Sequence, residues 1–177
     1  MQDISEPYCI FGTYLDNVER VIITNGDSNI HTIDIGENRI AVSSGLIEFR
    51  NIKIKGVGKH LVTTGSGHGK PPVIRLNNCQ LDLNNSSGAI LQAWGPTAGI
   101  IIENGLQYNN CVCYVNMACY LGGYIMIWPD TSKPTGSVTG IKYIMQHNSS
   151  IYLNGYTFDN YVLGTNAGTK SSEAYIG

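Results

Sequence analysis

The sequence predicts an all-β protein: a short parallel β-helix of about four coils of ~26 residues, followed by a distinct all-β carboxy-terminal tip. Composition is the first reason. Only 14% of the 177 residues are charged while 42% are hydrophobic, and 21 Gly and 17 Asn supply much of the polarity. Ile, Val, Thr and Tyr suit strands, and Gly, Asn and Ser suit the corners between them. The second reason is a repeat. The pattern apolar-x-apolar-x-Asn occurs in Val21–Asn25, Ile47–Asn51, Ile74–Asn78 and Ile100–Asn104, so that Asn recurs at a nearly constant interval. The third is that no window shows sustained 3.6-residue apolar spacing. A β-sandwich would share the composition but not a fixed period.

Each element follows from alternation. Strand side chains point to opposite faces in turn, so the residues two and four before each Asn share one face. Those positions hold only Val, Ile, Phe and Leu. The other face is mostly polar, with Glu48, Arg50, Arg75, Asn77 and Glu103 against the exceptions Ile22 and Ile101, and the strands after the Asn add Lys53, Gln80 and Gln107. Asn tolerates the left-handed conformation better than other non-glycine residues, which suits a corner. Alternation resumes after it in Ile52-Lys53-Ile54 and Cys79–Leu83, and after an inserted Gly105 in Leu106–Tyr108. Asn84–Gly88 and Trp94–Gly99 read as turn clusters.

The two ends read differently. Asp3–Tyr14 has little pattern, and its fold is left open within a shaft spanning 1–123. From Tyr124 the register fails: Asp130 falls at the next expected corner, Met126 and Trp128 fit loosely, and Asn154 is out of phase. A separate tip over 124–177 is therefore expected. Solenoid ends need caps, and no capping helix is visible. Tyr143, Tyr152, Tyr156, Phe158, Tyr161 and Tyr175 crowd this region with few charges. They are expected to pack between the chains of an oligomer.

Function classes narrow by exclusion. A net charge of −2 argues against a broad nucleic-acid face. No apolar run reaches the ~20 residues of a membrane helix, and the first residues lack a basic and apolar signal sequence. Cys9, Cys79, Cys111, Cys113 and Cys119 form an odd set with no His nearby, so free, buried thiols are expected and no metal or cofactor. The repeat puts Glu48 and Arg75 in one outward slot, and Arg50, Asn77 and Glu103 in another. These read as ladders of compensating charge, not as an acid/base pair. His60, His68 and His147 lie in loops without a recognisable partner, and no catalytic residue is assigned. A saccharide site needs only aromatic faces with amides and hydroxyls. The candidates are Trp94 and Trp128, each in a Gly/Pro turn, with Asn84 and Asn85 as polar contacts.

The carboxy-terminal residues carry a resemblance. Gly140–Tyr143, Asn148–Tyr152, Asn154-Gly155, Leu163–Thr169 and Tyr175-Ile176-Gly177 follow in order. Together they resemble the ends of bacteriophage tail-fibre and tailspike proteins over the stretch from Gly140 to Gly177, apart from Ser172-Glu173-Ala174, where such ends often carry Gly-Gly. The resemblance implies a homotrimer made in the host cytoplasm and built into the virion tail beside other tail proteins. It implies attachment to host lipopolysaccharide, capsule or another surface glycan, which some such proteins also cleave; with no catalytic constellation visible, attachment without catalysis is the expectation here. A tailspike depolymerase, hydrolase or lyase, and a purely structural virion connector are the alternatives.

Overall fold

The computed structural model describes residues 20–24, 31–57, 61–65, 70–129 and 131–177. It is nearly all β, a parallel solenoid of about five turns. One sheet is built, in chain order, of β1 (Arg20–Thr24), β4 (Leu46–Arg50), β7 (Val73–Asn77), β9 (Gly99–Ile102), β11 (Tyr124–Ile127), β13 (Ser150–Tyr152) and β15 (Tyr175–Ile176). Between them run β2 (His31–Asp34), β3 (Ile40–Val42), β5 (Ile52–Val57), β6 (Leu61–Thr64), β8 (Cys79–Trp94), β10 (Leu106–Tyr120), β12 (Thr135–Gln146) and β14 (Thr169–Lys170), which form a second, wider sheet.

The second sheet makes two faces. The first part of β8 pairs with β5 through Gln80–Asn84, and its last part pairs with β6 through Leu91–Trp94. The polypeptide bends between them without leaving the ladder to β10, and the register slips there. The Asn84–Gly88 cluster is thus a bend inside a strand. Counting the first sheet, the solenoid has three faces, and its interior is filled by alternate residues of each.

A single apolar file runs the length of the stack. Val21 registers with Ile47, then Ile74, Ile100, Ile125, Ile151 and Ile176. Every side chain from Ile47 to Ile151 in this file is buried. Each such side chain contributes about 1.5–3 kcal/mol relative to exposure.

The corners correct one expectation and extend another. Asn51 and Asn78 have φ of 53° and 51°, as a left-handed corner requires, and Asn78 Nδ2 donates to Asn51 Oδ1 at 2.8 Å. Asn104 follows the same register, yet its Nδ2 donates to Asn77 Oδ1 at 2.9 Å and its φ is not positive. The inserted Gly105 lengthens that corner and relieves Asn104 of the left-handed turn. Asn25 lies outside the described residues.

A separate tip after residue 123 is not seen in the pairing. β11 pairs with β9 and β12 with β10, so both sheets cross that point without a break. The step from Ile100 to Ile125 is one residue shorter than the steps from Val21 to Ile47 and from Ile74 to Ile100. A one-residue slip moves a strand's side chains to the opposite faces. The inward pair is therefore Ile125 and Ile127, both 0% exposed, and not Met126 and Trp128. Asp130, the expected corner, lies outside the described residues.

The carboxy-terminal aromatics mostly close the chain's own interior. After β13 the coil forms the one-turn helix α1 (Phe158–Tyr161), started by Thr157, whose Oγ1 accepts from Asn160 N. Tyr161 and Val162 enter the core, Tyr143 stacks on Phe158 at 3.7 Å between ring centroids, and Tyr156 packs on Tyr161 at 5.0 Å. The Tyr156 hydroxyl donates to Thr131 O at 2.7 Å. All six aromatics expected between chains thus have a ring partner within the chain, and Tyr143, Tyr156, Phe158 and Tyr161 lie in or against the core. Tyr152 and Tyr175 remain on the outer side of the first sheet, 6.2 Å apart.

Cys79, Cys111, Cys113 and Cys119 are buried free thiols, and Cys9 lies outside the described residues. Burial pushes Cys79 up to about 11 and Cys113 up to about 12, against an ordinary value of 9.0. Below pH 9 these thiols are protonated in both folded and unfolded chains, and their contribution to stability is complete. As pH rises from 9 toward 11 and 12, the unfolded chain gives up the protons first, so stability falls. Denaturant melts should show a lower midpoint near pH 10 than near pH 8. An equal or higher midpoint would contradict this burial.

Candidate functional site

The four candidate contacts fall at three places. Trp94 ends β8, at the corner between the third face and the first sheet, and is 43% exposed. Trp128 follows β11 at the next corner and is 46% exposed. Its carbonyl accepts from Thr131 Oγ1 at 2.6 Å, which ties down the turn. Asn84 and Asn85 sit at the bend of β8 between the second and third faces. Asn84 is exposed, and its Oδ1 accepts from Val112 N at 3.2 Å. Asn85 is only 3% exposed and donates to Ala89 O at 3.0 Å. Burial removes Asn85 from the set of surface contacts. It shares the inward face with Leu81 and Leu83, as strand alternation dictates.

Trp94 has an aromatic neighbour that inspection of the sequence missed. Tyr120 registers with it one coil on, and the rings lie 5.1 Å apart at 46°. The two rings are tilted and not stacked, and much of Trp94 stays exposed beside Tyr120. Thr64 precedes Trp94 in the same file and Gln146 follows Tyr120. The signal was the period itself, since Trp94, Tyr120 and Gln146 stand at equal steps of one repeat. The neighbouring file is Val62, Gln92, Ala118 and Ile144. Its Ala118 and Ile144 pack with Ala89 and Val115 and against Tyr120 and Ile141. That small apolar cluster outside the main core holds the Tyr120 ring in place.

Most of the paired charge lies on the other two faces, while Lys142 pairs with Asp159 on the third. Lys53 pairs with Asp82 at 2.9 Å, and Lys55 with Asp34 at 3.7 Å. On the first sheet Arg75 Nη1 lies 3.2 Å from Glu103 and 3.9 Å from Glu48, and Arg50 pairs with Glu48. Asn77 Nδ2 donates to Glu103 Oε2 at 3.1 Å. Glu48 registers with Arg75 and Arg50 with Asn77, the slots expected from the repeat. The ion pairs run both along and diagonally between the files. Glu48 is 0% exposed, which keeps it from reaching a bound saccharide.

His147 is exposed at a corner with φ of 56°. His60 and His68 lie outside the described residues. Among the described residues no group of His, Cys, Asp and Glu is placed to hold a metal ion, and no helix is long and apolar enough to cross a membrane. No protein-family model, curated protein or solved structure matches the chain.

Proposed function

We propose that this chain is a non-enzymatic segment of a tail-fibre or tailspike-type protein that attaches a virion to a host surface glycan, lipopolysaccharide or capsule. The observation that carries the reading is the pair of an exposed Trp94 and a half-buried Tyr120 on a solenoid face, bordered by Thr64, Gln92 and Gln146. Aromatic faces take the C–H surface of a sugar, and amides and hydroxyls take its hydroxyl groups. The solenoid suits such a role, because its rigid coils hold these side chains at fixed spacing. The proposed assembly is a homotrimer joined to other tail proteins. Tyr175, 60% exposed, and Trp128 at the outer edge of the first sheet are available to support chain contacts.

Trp94→Ala is expected to lower adsorption to host cells by about tenfold or more while leaving the native mass unchanged. Unchanged adsorption would remove Trp94 from the site. A monomeric native mass that persists at high concentration would remove the trimer. Release of reducing ends from host polysaccharide would overturn the non-enzymatic reading.

A further inference from the structure

The Trp94 file runs parallel to the solenoid axis. Thr64, Trp94, Tyr120 and Gln146 occupy one outward position on four successive coils, spaced about 4.8 Å apart and spanning about 14 Å. That step is close to the rise of one hexose unit in an extended polysaccharide. None of the four is charged, nor is any member of the adjacent Val62–Gln92–Ala118–Ile144 file. Lys142, on the same strand as Gln146, is engaged by Asp159 at 2.6 Å. The charge ladders that could neutralise a uronate or sialate lie on the other faces, already paired within themselves.

We infer that the platform takes an uncharged saccharide chain lying along the solenoid axis, with one sugar on Trp94, its neighbours over Thr64 and Tyr120, and the next over Gln146. The inference rests on the glycan reading above and specifies its ligand. Anionic sugars are disfavoured because a carboxylate over Thr64, Trp94 or Tyr120 would lose water without a cation in the file to meet it, Lys170 and His147 lying only at the Gln146 end. Gln92 and Gln146 supply both donors and acceptors, and Thr64 and Tyr120 supply hydroxyls.

The test is affinity electrophoresis of the full chain in gels containing neutral polysaccharides (dextran, galactomannan, amylose) or anionic ones (polygalacturonate, alginate, hyaluronan). Each is run at low and high salt. The expected result is retardation by at least one neutral polymer, insensitive to salt. Trp94→Ala should weaken it about tenfold or more, and Gln146→Ala, two coils away, by about two- to tenfold. Melting curves of both variants should match the parent. Salt-sensitive retardation by anionic polymers alone overturns the inference and leaves glycan binding standing. Neutral retardation untouched by both substitutions overturns the placement. Retardation by none of these polymers, with no binding on a glycan array, overturns the glycan reading as well. A changed native mass in Trp94→Ala without any saccharide binding assigns the face to a second copy and overturns both.

Discussion

Ile125→Ala should destabilise the protein by about 2–5 kcal/mol, whereas Trp128→Ala should cost no more than about 0.5 kcal/mol. Ile125 is 0% exposed in the central file, between Ile100 and Ile151, and truncation leaves a cavity that stacked coils cannot close. Trp128 is 46% exposed and its turn is held through its backbone carbonyl. The comparison discriminates between registers, because a strand shifted by one residue would put Met126 and Trp128 inside. Urea melts of the two variants decide it. A greater loss in Trp128→Ala than in Ile125→Ala would contradict the continued stack.

Tyr161→Ala should cost about 3–5 kcal/mol, the range for a large aromatic removed from a core. Tyr161 is 0% exposed, packs against Tyr156 and joins the core beneath the last coil. Its removal opens the interior where α1 closes it. The loss should be the same at low and high protein concentration, since the packing lies within one chain. A cost that disappears at high concentration would return these aromatics to an interface between chains. Tyr161→Phe should be nearly neutral, because the buried hydroxyl has no hydrogen-bond partner.

The sequence made the stacking legible where its period was regular. Ile47, Ile74 and Ile100 recur with an Asn four positions on, and the charge slots of Glu48, Arg75, Arg50 and Asn77 follow from that register. Legibility ended at Ile125 for a geometric reason. One residue fewer in the coil exchanges inside for outside, so a strict count of the period places Met126 where Ile125 belongs. The corner chemistry changed as well, from Asn51 and Asn78 to a turn over Trp128 and Thr131. Trp94 was legible as an exposed aromatic, and Tyr120 was legible by adding one period to it. Asn85 was misjudged because a run of turn-forming residues from Asn84 to Gly88 concealed a strand alternation that continues from Leu81 and Leu83. The cap was illegible because α1 is a single turn, Phe158–Tyr161, too short to show a helical period.

The stacking of coils across residue 124 is tested most directly by one distance. Thr32 registers through Lys53, Gln80 and Gln107 to Thr135, four coils on. Spin labels carried by unnatural amino acids at Thr32 and Thr135 leave the native thiols untouched. Pulsed electron resonance should then give a narrow distribution centred at about 19 Å, the sum of four inter-strand steps. A broad distribution, or one centred well beyond that value, would contradict a single stack running from the first coils into the last third of the chain.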